Sequence, residues 1–449
     1  MARRDEKMRL GAFFMPTGHH VASWRHPEAD ADAGVNFKHY VAMAQLAEAA
    51  KFDMVFLADG VAVRDAHPEA LRRSAQYIAN FEPLTLISGI AALTSHIGLT
   101  ATASTSFYEP YHLARAFASL DHISSGRAGW NIVTSTRNSE AKNFGRETHY
   151  GHAERYERAR EFTQVVLGLW DSWDDDAFMR DKATGQFLDP DKMHALDHAG
   201  KFYSVRGPLN IPRPPQGWPV LIQAGVSEDG RAFASEFAEV IFTSHLNIEQ
   251  AKPYYNEVKQ RVTQFGRTPD SIKIMPGLNP IVGRTAEEAE AKYELLQSLI
   301  EPIVALEILS TFLGVDMSKY PLDEPLPDLA APENAFGSFH NWVGLARKEN
   351  LTVRQLAFRA ARGRMSVIKG SAAQVADHME EWFANGACDG FNIMSPYIPG
   401  AFRDFTELVV PELQRRGLFR TEYEGRTLRE NLGLRRPQSR FRIKQTAAE

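Results

Sequence analysis

The segment 218–230 (WPVLIQAGVSEDG) carries the clearest chemical signal in the chain. Val220–Ile222 predicts a buried strand, Gly225 supplies a turn, and Ser227 opens a helical pattern with Glu228 and Asp229 behind it. A strand that runs through a glycine turn into a helix start presents free backbone N–H groups at the positive end of a helix dipole, which is an anion site. A phosphorylated ligand would satisfy it. The same residues also read as an ordinary N-cap with an acidic first turn. His152 and Tyr156 are four residues apart on one predicted helix face, and both can donate to a phosphate.

Other candidates follow predicted strands. His19 and His20 are imidazoles suited to proton transfer near pH 7. Asp59 follows Val-Phe-Leu-Ala and could accept from a ring N–H or a hydroxyl, or simply cap a turn with Gly60. Asn131 lies inside the strand-like GWNIVTS, where asparagine is disfavoured and a buried amide needs a partner. Ser104 and Thr134 sit at neighbouring strand ends. Arg25, His26 and Arg64 favour an anionic ligand or are solvated loop charges. His19, His20, His26 and the pair His194/His198 offer metal-binding types, but there is no H-E-x-x-H, and a catalytic metal is not expected. No G-x-S-x-G elbow occurs, which argues against a serine hydrolase of that class.

The elements that must position these residues alternate. Strands are predicted at Leu10–Met15, Asp53–Leu57, Ile97–Ala103, Arg127–Thr134, Val220–Ile222, Val240–Thr243, Ile272–Val282 and Gly390–Met394. Helices are predicted at Asn36–Lys51, Pro83–Ser95, Tyr111–Ile123, His152–Trp170, from Ser227, at Ile248–Phe265, from Ala286, and at Phe402–Arg416. Eight such units imply an α/β chain folded as a single-domain (β/α)8 TIM barrel over residues 1–449, with its site at the C-terminal ends of the strands. A doubly wound sheet is the alternative, but no G-x-G-x-x-G follows any strand. The polar stretch 171–217 and the proline-bearing stretch 311–350 read as insertions, and 421–449 as a C-terminal extension over another surface.

Composition bounds the rest. The 449 residues carry 51 Lys+Arg against 56 Asp+Glu, a formal charge of −5. That balance argues against nucleic-acid binding. The single cysteine, Cys388, excludes an intrachain disulfide and a cysteine zinc site. No apolar run approaches the roughly 20 residues of a membrane span, and no signal-peptide pattern stands at the N-terminus. A cytoplasmic protein without membrane contact is expected.

Several blocks in fixed order resemble the bacterial luciferase-like superfamily. They are Gly18–Pro27 (GHHVASWRHP), Phe52–Asp59 (FDMVFLAD), Tyr111–Asp121 (YHLARAFASLD), Gly126–Ser135 (GRAGWNIVTS), Asn143–Gly145, His152–Tyr156 (HAERY), Pro214–Gly225 (PPQGWPVLIQAG) and Phe419–Gly425 (FRTEYEG). Within it they resemble the group of nitrilotriacetate monooxygenase component A, the EDTA and dibenzothiophene-sulfone monooxygenases and the long-chain alkane monooxygenase. The resemblance implies a two-component FMN-dependent monooxygenase. It would use reduced FMN, supplied in trans by a separate NAD(P)H:flavin reductase, and O2 to oxygenate a small organic substrate through a flavin C4a-hydroperoxide. It implies that Asp59, Ser104 and Asn131 contact the flavin ring and ribityl chain. His152, Tyr156, Ser227 and the backbone at Gly225 would hold the phosphate. His19 and His20 would stand beside the flavin, one of them acting on the peroxide. The long insertions become candidate lids that exclude water. Homodimers or homotetramers are expected by the same analogy. The cysteine of the alkane enzymes is missing, with Phe14-Met15-Pro16-Thr17 in its place, which weakens transfer of an alkane substrate. An F420-dependent oxidoreductase on the same barrel, a flavin-binding protein without oxygenase activity and a metal-dependent barrel hydrolase are the competing readings.

Overall fold

The computed structural model describes residues 6–225, 227–331, 337–362 and 367–441. Eight parallel strands close into a barrel: β1 (Arg9–Phe14), β2 (Met54–Leu57), β3 (Gly98–Ser104), β4 (Ala128–Val133), β5 (Val220–Ala224), β6 (Val240–Thr243), β7 (Lys273–Gly283) and, last in the chain, Gly390–Ile393. Closure comes from β6 against β7 and from the last strand between β7 and β1. A ninth strand, Val367–Ser371, pairs only with the far half of β7, Asn279–Gly283. In chain order it is β8, and Gly390–Ile393 is β9. The sequence reading missed β8, and it also missed the helix Ala372–Ala384 that leads to β9.

Alternation along each strand sorts the side chains. In β1, Leu10, Ala12 and Phe14 join the core between barrel and helices, whereas Phe13 joins the interior with Phe56, Ile222, Val240 and Met275. Gly11 has no room for a side chain, because a Cβ there would lie 2.0 Å from Asn392 Oδ1. In β4, Trp130 and Ile132 belong to the outer core, so Asn131 between them faces the barrel interior. Each fully buried Leu or Phe in these layers contributes about 1.5–3 kcal/mol.

The C-terminal extension covers the barrel's own N-terminal face. Leu428, Leu432 and Leu434 complete the interior cluster from below. Arg429 bonds the Glu239 carboxylate and the Trp218 carbonyl, and Arg420 reaches buried Asp53 at 2.5 Å. Residues 442–449 of the expected extension lie outside the described residues.

The stretch 171–217 joins the helix His152–Trp170 to the start of β5 and is tied to the C-terminal extension through Arg213 to Pro437 O and Arg436 to Asp175, whereas the second insertion is on the opposite face. In 171–217, Glu161 of the helix His152–Trp170 accepts from the backbone N–H groups of Phe202 and Tyr203, which fixes a short hairpin. The second inserted unit is mostly helical. Pro302–Leu313, Gly337–Glu349 and Val353–Ala361 share an apolar core of their own, which takes in Val21 and Ala22 from the loop after β1. Residues 332–336, within the expected insertion 311–350, lie outside the described residues. No single helix among the described residues is long and apolar enough to cross a membrane.

Candidate active site

The loop after β1 is built for a close approach. Gly18 has φ +120°, and a Cβ there would sit 2.4 Å from the Pro396 carbonyl oxygen. Only glycine lets this loop lie against the loop after β9, where His19 N–H donates to Ser395 O and His20 N–H to Pro396 O. His19 is thereby held with its ring 4.6 Å from Phe13 and its Nε2 2.9 Å from the Phe13 carbonyl. A carbonyl only accepts, so Nε2 carries the proton and Nδ1 keeps a lone pair. Burial pushes the imidazole down to about 4. His20 is also pushed to about 4, by burial and then by His26. Its surroundings differ: Nδ1 accepts from Ala22 N–H, and the Gln297 amide lies 3.3 Å from Nε2. His20 is thus engaged by the helix Ala286–Ser298, with no open ring nitrogen.

A cavity of about 280 Å³ opens at the C-terminal ends of β2, β4 and β5. Asp59, Thr134, Arg137, Tyr156 and Gln223 are on its wall. Burial pushes the Asp59 carboxyl up to about 6, with Glu82 and Glu140 adding to the effect. Ser104 stands behind the wall, its hydroxyl 2.9 Å from that of Ser135. Asn131 is buried, and its amide orientation is fixed by its neighbour. Thr102 donates its only hydroxyl hydrogen to the Leu57 carbonyl at 2.7 Å, so it must accept from Asn131 Nδ2 at 2.8 Å. Asn131 Oδ1 is left buried without a partner.

At the far end of the cavity, Ser227 is the N-cap of the helix Glu228–Phe237, its Oγ accepting from Gly230 N–H at 3.1 Å. Val226, inside the turn, lies outside the described residues. Gly230 leaves space for Tyr156, since a Cβ there would lie 3.1 Å from the phenolic oxygen. Exposed His152 is 5.2 Å from the Tyr156 ring and pairs with Asp229 at 3.0 Å. Glu228 is held by Arg231 and Arg261, which pull its carboxyl down to about 2. Glu228 is therefore tied to two guanidiniums and Asp229 to the His152 imidazole.

The structure thus brings Asp59, Ser104, Asn131, Tyr156, Gly225 and Ser227 around one end of the barrel, with His19 at its rim. The sequence reading missed Tyr77, Arg137, Glu140 and Gln223 on the cavity wall. It also missed the unpaired buried oxygens of Gln223, Thr243, Asn279, Asn392 and Ser395. Gln223 and Asn392 gave the same signal as Asn131, an amide inside an apolar strand. The metal-type histidines are otherwise engaged, His194 with Asp174 and His198 with Glu161.

The chain matches the family model for luciferase-like monooxygenases over residues 13–389. It is 51% identical over 446 residues to N-acetyl-S-(2-succino)cysteine monooxygenase of Bacillus subtilis (strain 168), covering 98% of this chain and 100% of that one. It is 45% identical over 445 residues to nitrilotriacetate monooxygenase component A of Aminobacter aminovorans, covering 97% and 98%. The crystal structure of DmoA from Hyphomicrobium sulfonivorans superimposes with a TM-score of 0.86 at 36% identity, covering 95% of this chain and 92% of that one. With the barrel, the site at its C-terminal mouth and these full-length relatives in agreement, the chain is a monooxygenase that belongs to the luciferase-like monooxygenase family.

Proposed function

We propose that this chain is the oxygenase component of a two-component system, in which reduced FMN supplied by a separate NAD(P)H:flavin reductase is used with O2 to oxygenate a small organic substrate. The observation that carries this reading is the mouth of the barrel. A cavity of about 280 Å³ lies where the strand ends converge, with Gln223 on its wall and Asn131 next to the lining residue Ile132 on β4, and the buried amide oxygens of both lack donors. A flavin ring and its ribityl chain offer N–H and O–H donors, so the residues present fit the group. When bound, reduced FMN supplies the electrons that activate O2.

The chain's own residues then have distinct tasks. Asn131, Ser104 and Asp59 meet the ring and ribityl chain. Tyr156, the Gly225 backbone, Ser227 and His152 take the phosphate at the start of the helix Glu228–Phe237. His19 is the proton-handling residue: its Nε2–H is committed to Phe13, and its Nδ1 lone pair is free to accept at pH 7. His20 positions the loop. The inserted helices beside this loop keep water from the mouth. The component A label of one relative supports a system of two parts. The absence of a dinucleotide fingerprint supports delivery of reduced flavin from outside. A cytoplasmic homodimer or homotetramer is part of the same reading.

The test is an anaerobic titration with reduced FMN, followed by aeration with a flavin reductase and candidate substrates under labelled O2. Labelled oxygen in a product supports the proposal. Turnover of NADH with FMN by the purified chain alone, or failure to bind reduced FMN, would overturn it.

A further inference from the structure

We infer that Arg64 and Arg137, both beside the Tyr77 ring, form the subsite that takes a carboxylate of the substrate. The inference rests on the proposed function of this cavity and names the chemical class of what enters beside the flavin. The Arg64 guanidinium lies 4.6 Å from the Tyr77 ring centre and that of Arg137 lies 5.9 Å from it. Among the described residues, neither guanidinium has a carboxylate oxygen within 4.0 Å. Besides Tyr77, which it also meets through a side-chain hydrogen bond, Arg64 has one long contact, to Gln76 Oε1 at 3.4 Å, and its Nε is buried without a partner.

The buried arginines elsewhere make the contrast. Arg127 bonds to five acceptors, and Arg213 to Asp171, Asp175 and Pro437 O. Two guanidiniums close enough to depress Arg64, in addition to its burial, are a charge arrangement that an anion would complete. The neighbouring acids are not that anion. Glu140 accepts from the backbone N–H groups of Thr136 and Arg137, Glu307 from His67 N–H, and Asp65 is exposed.

Placement selects substrate over cofactor. Tyr77 and Arg137 line the cavity at the strand ends, whereas Arg64 and Gln76 line a second cleft, against Val304 and Ile308 of the helix Pro302–Leu313. The pair therefore stands where the two spaces meet, while the proposed phosphate position is at the end of β5. Tyr77 holds φ +57°, a conformation costly for a non-glycine residue and characteristic of side chains fixed for a site. Planar guanidinium forks stacked on an aromatic ring match a carboxylate in shape and charge.

The experiment uses the full chain and tricarballylate as probe, with its triamide as the uncharged control, followed by titration calorimetry. Wild-type chain should bind the acid and not the triamide. Arg64→Gln and Arg137→Gln should each weaken binding by about tenfold or more, with Arg64→Lys intermediate. For Arg64→Gln, affinity for FMN and for riboflavin should stay within about twofold, which also reports that this variant is folded. No binding of the acid by wild-type chain, or unchanged binding by Arg64→Gln, overturns the inference. So does an Arg64→Gln loss confined to FMN over riboflavin, which would assign the guanidinium to the cofactor phosphate. If the chain binds tricarballylate through Arg64 but does not bind reduced FMN, the proposed function fails and this subsite stands.

Discussion

Replacing Asn131 by leucine separates a ligand-seeking amide from a structural one. The side chain makes one hydrogen bond, Nδ2 to Thr102 Oγ1 at 2.8 Å, and leaves Oδ1 buried and unpaired. Losing the bond costs about 1 kcal/mol, and removing an unsatisfied buried oxygen returns about 1–3 kcal/mol. Thr102 keeps its own bond to the Leu57 carbonyl, so no new orphan donor is created. The apo-protein should therefore be unchanged or more stable by about 1 kcal/mol, which for a chain of this length raises the melting temperature by roughly 1–2 °C. The holo-protein should behave in the opposite way. A flavin donor that meets leucine instead of a carbonyl loses about 1–3 kcal/mol, or roughly 5- to 150-fold in affinity. Thermal melts of the apo-chain and quenching of flavin fluorescence measure the two sides independently. A loss of more than about 2 kcal/mol of stability with unchanged flavin affinity would refute the reasoning and make Asn131 a core amide.

Three further outcomes are expected. Gly18→Ala should cost about 3 kcal/mol or more, since it combines φ +120° with a 2.4 Å approach to a backbone oxygen; an unchanged melting temperature would contradict this. Tyr156→Phe should weaken FMN binding several-fold and leave riboflavin binding alone, whereas equal losses for both would remove Tyr156 from the phosphate site. Acid stability should follow His19 and His20. Both stay neutral in the fold down to about 4, while the unfolded chain takes up protons from about 6.5. The unfolded state then binds more protons between these values, so stability falls as pH drops through them, by up to about 3 kcal/mol per histidine. Asp59, pushed up to about 6, works against this between about 4 and 6 because its folded form binds the extra proton. Urea midpoints at pH 7.5, 6 and 5 should fall for wild type and fall less for His19→Gln; identical slopes would discard the assignment.

The barrel was legible because its strands and helices repeat on their own periods. His152–Trp170 and Val240–Thr243 have the boundaries expected from apolar spacing alone. The strand Val367–Ser371 was not legible, since VIKGS has two consecutive apolar residues and no alternation. The helix Ala372–Ala384 did carry a readable stripe in Val375, Ala376, Met379, Trp382 and Phe383. The helical pattern read from Ala286 is in fact two helices, Ala286–Ser298 and Pro302–Leu313, the second opened by Pro302 at a position where its missing N–H is harmless. Asp59 was found because it ends a strand. Tyr77 and Arg137 lie in irregular segments, where no period predicts which residues fold back over the mouth.

The two ends of the barrel satisfy their polar groups differently, and that difference identifies what the mouth expects. At the N-terminal end the buried carboxylates are saturated. Asp53 accepts from Leu10 N–H and Arg420, Glu239 from Leu221 N–H and Arg429, and Asp121 from Gln216 and Ala128 N–H. The atoms that remain unpaired there include Arg420 Nη1, Arg429 Nε and Asn431 Nδ2, all donors on side chains already bonded through other atoms. Toward the C-terminal end the unpaired atoms include the carbonyl oxygens of Asn131, Gln223 and Asn279. An amide oxygen can only accept. A ligand carrying charge alone, such as a free phosphate or a bare carboxylate, would leave these oxygens as they are. The complement must bring N–H or O–H groups to the strand ends and place its anionic portion at the helix start. A polyhydroxylated, ring-bearing phosphate meets both conditions in one molecule.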